Sequence, residues 1–128
     1  MNGINLSLFI LMFPLQLLAA VPNYQVQTQI YVDGQLASST RSVVPEGTLT
    51  KIDSRSTFST NLINLNVKAQ DRIDSKDAVT LTYDIDYQKG EQKLHLQPTV
   101  TNKVGYESTV KVNQDGKEII IKSVATKI

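Results

Sequence analysis

The chain has 128 residues, 20% of them charged and 41% hydrophobic, with a formal net charge of +1, which is the size and balance of one ordinary folded domain. So neutral a chain lacks the basic footprint of a nucleic-acid binder, and with 6% aromatic residues and Phe58 the one phenylalanine beyond position 20 it has few platforms for base stacking. There is no cysteine, so neither disulfides nor lipid attachment through a thioether is available, and the fold must be held by its core and its hydrogen-bond ladders.

Residues 1–20, MNGINLSLFILMFPLQLLAA, carry no charged side chain and an apolar run over 6–18 interrupted by Ser7, Pro14 and Gln16. A membrane span needs about 20 consecutive apolar residues, so the run is short for one, and Ala19 and Ala20 supply small residues near a cleavage point. The expectation is a signal peptide over 1–20, a mature start at Val21 and no stable membrane span after cleavage. No Asn-x-Ser/Thr acceptor follows residue 20, which favours a bacterial periplasm over a eukaryotic secretory route.

From Val21 the chain alternates. In YQVQTQIYV, Tyr24, Val26, Thr28, Ile30 and Val32 fall on one side of an extended chain, and Gln25, Gln27, Gln29 and Tyr31 on the other. Asp33-Gly34 accepts the positive φ angles of a tight type I′ turn and returns the chain into a strand over 35–44. The Ser/Thr-rich middle of that strand, SSTRS, points to a sheet edge or a wet face. Pro45-Glu46-Gly47 turns again. Over 48–53 the apolar residues Leu49 and Ile52 break strict alternation, which suggests a bulge.

Residues 53–60, DSRSTFST, read as a polar loop. Alternation resumes over 62–69 with Ile63, Leu65, Val67 and Ala69 facing a core, and 70–78, with charges of both signs, reads as a loop or one helical turn. VTLTYDIDY over 79–87 is the clearest strand. Val79, Leu81, Tyr83, Ile85 and Tyr87 occupy every second position, whereas helical geometry at about 100° per residue would scatter them. A turn at Gly90 leads into 93–100, where Pro98 lacks a ladder donor and marks an edge or a strand end. A strand over 106–112, a hairpin at Asp115-Gly116 and a strand over 118–125 around Ile119, Ile120 and Ile121 complete the chain. Apart from Gly3, each glycine falls at a turn.

The regular spacing predicts an all-β, antiparallel β-sandwich of about eight strands in a single domain over 21–128. Two four-strand pseudo-repeats are suggested by the match of Gly47 to Ile52 with Gly105 to Val110, and of Ile63 and Val67 with Ile121 and Ala125. The strand-turn-strand pattern Leu94-x-Leu96-x-Pro98-x-Val100, then Gly105 and Val110-x-Val112, resembles one found in secretin C-terminal regions and in small periplasmic β-domains of secretion and envelope machines. It spans about a third of the chain. The resemblance implies a structural or assembly role in the envelope. The chain is too short to be a secretin, so pore formation is not implied.

No constellation of residues marks catalysis, and there is no G-x-S-x-G elbow. His95, the single histidine, should face solvent, because its neighbours Leu94 and Leu96 point the other way. A zinc site there would need carboxylates for every other ligand. Asp84 and Asp86 share a strand face at roughly 6–7 Å from the strand rise, a spacing seen between glycosidase carboxylates, but alternation places them on the solvated side. Asp71, Asp74 and Asp77 recur every third residue among Arg72 and Lys76 without a calcium-loop spacing. Phe58 beside Arg55 in the polar loop either plugs one end of the sandwich or serves as an exposed anchor, since aromatics and arginine are enriched at binding hot spots. Tyr31, on the glutamine face, has the same two readings.

The expectation is a non-catalytic exported binding or assembly protein of the bacterial envelope, an accessory of a secretion system, working without metal or cofactor by contact with another envelope protein. It would be a monomer or part of a hetero-complex. Its contact surface is placed at Arg55, Phe58, Tyr31 and Ser39, with the edge strand over 35–44 offered for strand addition. Two alternatives are an inhibitor of a secreted or periplasmic enzyme that uses the 53–60 loop as a wedge, and a small carbohydrate hydrolase that uses Asp84 and Asp86.

Overall fold

A computed structural model of the protein describes residues 22–52, 62–72 and 75–128. Nine strands follow one another: β1 (Asn23–Val32), β2 (Gln35–Pro45), β3 (Thr50–Ile52), β4 (Leu62–Arg72), β5 (Ser75–Lys89), β6 (Gln92–Leu96), β7 (Thr99–Lys103), β8 (Glu107–Gln114) and β9 (Lys117–Lys127). They form two antiparallel sheets, one in the order β2-β1-β9-β8 and the other in the order β3-β4-β5-β6, with β7 also on β5. The sheets face each other as a β-sandwich, and the alternation is the reason. Tyr24, Val26, Ile30, Ile119 and Ile121 from the first sheet meet Ile63, Leu65, Val67, Leu81, Tyr83 and Ile85 from the second in one buried cluster. Each fully buried Leu, Ile or Val contributes about 1.5–3 kcal/mol relative to exposure.

The strand count exceeds the expected eight because the stretch over 93–100 is two strands. Pro98 has no N–H to give, and its carbonyl instead accepts from Tyr83 N–H at 2.9 Å, so β6 ends at Leu96 and β7 resumes along the same side of β5. The region over 70–78 is neither loop nor helical turn for most of its length: β4 runs to Arg72 and β5 begins at Ser75. No bulge interrupts β3. Thr50, Lys51 and Ile52 pair regularly with Val67, Asn66 and Leu65, and Leu49 lies outside the strand, exposed.

The bulge is in β2. Ile30 pairs with Ser38 while Tyr31 pairs with Leu36, leaving Ala37 as the extra residue. Ala37 and Ser38 are both buried, and beyond them the parity is reversed so that Val44 is buried while Ser39, Arg41 and Val43 are exposed. Without the extra residue the same register would turn Arg41 into the core, at the cost of burying an unpaired charge.

Both Asp-Gly hairpins have the paired positive φ angles of type I′ turns, 49° and 81° at Asp33-Gly34 and 52° and 77° at Asp115-Gly116. Asp33 Oδ1 accepts the Glu118 N–H at 2.9 Å and Oδ2 lies 3.3 Å from Lys117 Nζ, fastening the two turns of the first sheet together.

The two halves have the same topology. With β1 set against β5, β2 against β6 and β7, β3 against β8, and β4 against β9, each sheet order maps onto the other. The hydrogen bonds repeat too: Gly47 N–H donates to Ala69 O and Gly105 N–H to Ala125 O, both at 2.8 Å. The repeat therefore matches Ala69, rather than Val67, with Ala125, a correction of two residues to the alignment expected from the sequence. The halves differ at the β-bulge, at the Pro98 break and in the lengths of β3 and β8.

A group of polar side chains, those of Thr28, Tyr83, Ser123 and Asn102, lies inside the apolar core. The hydroxyls of Thr28 and Tyr83, one from each sheet, share a hydrogen bond of 2.9 Å. Ser123, paired with Thr28 on the neighbouring strand, also bonds Tyr83, and Asn102 Nδ2 donates to Ser123 O at 2.9 Å. Burial pushes the Tyr83 phenol above its ordinary value of 10, and its hydrogen bonds to Thr28 and Ser123 oppose that shift in part, so it stays neutral. Removing one partner leaves a buried hydroxyl without its mate, which costs about 1–3 kcal/mol. Urea unfolding should accordingly show Thr28→Val and Tyr83→Phe each destabilising by about that amount, with the double variant losing less than the sum of the two. Strict additivity would mean that the hydroxyls do not act as a pair.

Candidate functional site

Two surfaces carry the residues singled out from the sequence, and they lie on opposite faces of the sandwich. The outer face of the first sheet presents Tyr31 from β1 and Ser39 from β2. Ser39 is exposed opposite Gln29, and Tyr31 is half-buried two residues further along β1. Lys122 Nζ stands 5.3 Å from the centre of the Tyr31 ring, within cation–π range. Beside them a shallow polar depression of about 370 Å³ is lined by Gln27, Gln29, Ser39, Arg41, Glu107 and Lys122, among others. The structure thus brings Tyr31 and Ser39 onto one surface. Arg55, Phe58 and the rest of the 53–60 loop lie outside the described residues.

At the open side of β2 the backbone itself is the feature. A two-residue hairpin makes Val32 and Gln35 a hydrogen-bonded pair, and the alternation of an antiparallel ladder then bonds Thr40, Ser42 and Val44 to Thr28, Val26 and Tyr24. The intervening Ser39, Arg41 and Val43 turn their N–H and C=O groups outward. Pro45 falls in the same outward set, where its missing N–H interrupts nothing. Among the described residues no strand pairs with that side of β2.

The other edges differ. β3 has three residues, the β6–β7 edge is interrupted at Gln97 and Pro98, and β8 has eight residues with Lys111 in its outward set, held 3.1 Å from Glu118. Short strands, proline and lysine are the devices that keep sheet edges from pairing further. β2, with eleven residues, is the longest edge strand among the described residues, and beyond its bulge at Ala37 it runs regularly from Ser38 to Pro45.

The second surface is the outer face of the other sheet, where Asp84 and Asp86 of β5 and His95 of β6 converge. Val79, Leu81, Tyr83, Ile85 and Tyr87 face the core, so the even-numbered residues between them face out, and the register sets Asp86 directly opposite His95. His95 is solvent-exposed, as alternation predicts. It is not isolated, however: its Nδ1 lies 2.6 Å from Asp86 Oδ1 and its Nε2 lies 3.2 Å from Asp84 Oδ1. The first contact is a hydrogen bond. The second has ion-pair distance without hydrogen-bond geometry, and Asp84 Oδ1 is shielded from solvent with no hydrogen-bond partner among the described residues. Asp84 and Asp86 therefore lie on the solvated face, as alternation predicts, with the imidazole between them.

The hydrogen bond to Asp86, which favours the charged imidazolium, raises the His95 pKa above its ordinary 6.5; desolvation, the next largest effect, opposes it, and the nearby charges of Asp84 and Asp86 add to the rise. The pair was visible on one strand face in the sequence. That His95 would stand between them required the register of the β5–β6 hairpin, set by the two-residue turn at Gly90 and Glu91, where only Gly90 has positive φ, as a type II′ turn requires.

No protein-family model, no curated protein and no solved structure matches the chain. A raised pKa in the folded state means that protonated His95 stabilises the fold at pH below about 6.5 and that this contribution is lost as pH rises through the folded-state value. An NMR pH titration of the imidazole should place its midpoint above 6.5, and Asp86→Asn should bring the midpoint down. A midpoint indifferent to that substitution would remove Asp86 as the cause.

Proposed function

We propose that this is an exported, non-catalytic binding or assembly protein of the bacterial envelope, an accessory of a secretion or envelope machine, and that it docks by adding an extended segment of another envelope protein to the open edge of β2. The observation that carries the reading is the eleven-residue β2 edge, with the backbone groups of Ser39, Arg41 and Val43 turned outward and no strand beside them among the described residues. Strand addition takes its affinity from such main-chain groups and its specificity from side chains on alternating positions. The Ser/Thr-rich composition of β2 suits this role, since it leaves the ladder groups accessible without a greasy edge that would recruit any strand. Tyr31 and the depression lined by Ser39 and Arg41 lie next to the edge and offer side-chain contacts to the same partner. The uncharged apolar stretch over 1–20 supports export, the missing glycosylation acceptors support a periplasm, and the resemblance of 94–112 to envelope β-domains supports the assembly role.

Proline substitution at Ser39 is the test, because the Ser39 N–H points away from β1 and its loss spares the β1–β2 ladder. In pull-down from envelope extract, Ser39→Pro should weaken recovery of the partner while the urea midpoint stays near that of the unaltered protein. Thr40→Pro, which removes a bond to β1, should destabilise the fold. A Ser39→Pro protein that is folded and recovers the partner undiminished would refute docking at this edge.

A further inference from the structure

We propose that His95 Nε2 and Asp84 Oδ1 together bind a divalent transition-metal ion of the zinc class, with Asp86 as the residue that orients the imidazole. In the neutral imidazole the Nδ1 contact of 2.6 Å to Asp86 Oδ1 favours the tautomer that carries its proton on Nδ1, so an ion that displaces the Nε2 proton of the imidazolium meets the Nε2 lone pair. Nε2 lies 3.2 Å from Asp84 Oδ1, a separation with the length but not the direction of a hydrogen bond. It does have the length of a ligand-to-ligand separation. An ion about 2.0–2.1 Å from an imidazole nitrogen and about 2.0–2.2 Å from a carboxylate oxygen holds those two atoms roughly 3 Å apart.

A second observation points the same way. Asp84 Oδ1 is itself shielded and accepts no hydrogen bond among the described residues, although the Asp84 side chain as a whole is 36% exposed, so an ion there would satisfy that oxygen and remain reachable from solvent. Asp86 behind the histidine completes the carboxylate–histidine–metal arrangement that fixes ring orientation and raises ligand basicity. All three residues stand on paired strands, two on β5 and one opposite on β6, so the site is set by the sheet and not by a loop. The mixed nitrogen and oxygen donors suit zinc and its neighbours rather than calcium or magnesium, which prefer oxygen throughout. Because the cluster is on the outer face, the remaining coordination positions are open to water or to a donor from a partner.

The site is independent of docking at β2, and its test reads the metal alone. As Zn2+ is titrated into the purified protein, the imidazole resonances of the single histidine should shift and saturate at one ion per chain. His95→Ala should abolish that saturable binding in calorimetry, Asp84→Asn should weaken it by about tenfold or more, and Asp86→Asn by about 10–100-fold. Circular dichroism should be unchanged in all three, since none of these side chains enters the core. His95 resonances unmoved by Zn2+, or Zn2+ affinity unaltered in His95→Ala and Asp84→Asn, would overturn the assignment and place any bound ion on other carboxylates.

Discussion

The sandwich depends on a hydrogen bond that crosses it. Apolar packing holds two sheets together but is indifferent to a small slide of one over the other, because oily surfaces are not directional. The hydroxyls of Thr28 and Tyr83 are directional, and being buried they must be bonded, so they admit one relative placement of the sheets. Ser123 and Asn102 extend the bridge by a residue on either side, joining β9 of one sheet to β7 of the other. Each strand alternates correctly on its own; this polar group in the middle of the core sets how the two alternating layers register.

Thr28 and Tyr83 are also equivalent positions in the two topologically matched halves. Val26 and Leu81 are the partners of Ala125 and Ala69, the residues that receive the equivalent glycine hydrogen bonds, and Thr28 and Tyr83 follow two places later. The contact thus lies where the halves meet. Departures from the common plan occur at the edges, where they govern what the protein offers its surroundings. One half carries an eleven-residue edge strand whose bulge turns Arg41 outward; in the other half Pro98 divides the corresponding edge, and a histidine stands between two aspartates on the face beside it.

The two candidate surfaces follow from the same ladder geometry. At β2 the outward backbone groups belong to residues whose side chains lie on the outer face, so a strand docking there also meets Tyr31 and the polar depression. At β6 the outward set includes Lys93 and His95, and the tight turn at Gly90 brings His95 against the solvated face of β5, whose other face is buried. Neither surface disturbs the core, which permits side-chain variation there at little cost in stability.

Alternation in 24–32, 62–69 and 79–87, the Asp-Gly pairs and the position of Pro98 were sufficient for an all-β antiparallel sandwich and most of its inward residues, because side-chain parity and turn chemistry are local properties of the chain; the Ser/Thr content of 35–44 narrowed that strand to a sheet edge or a wet face. Which strand lies beside which is not local. The bulge at Ala37, the continuation of β4 and β5 through a charged stretch that reads as loop, the burial of Asn102, and the meeting of His95 with both aspartates all came from pairing between segments. A pairing energy depends on the partner opposite each residue, which no single stretch specifies. The sequence by itself determined which faces are apolar and where the chain turns; only the tertiary structure decided which polar groups meet, because hydrogen bonds and ion pairs are made across strands and between sheets.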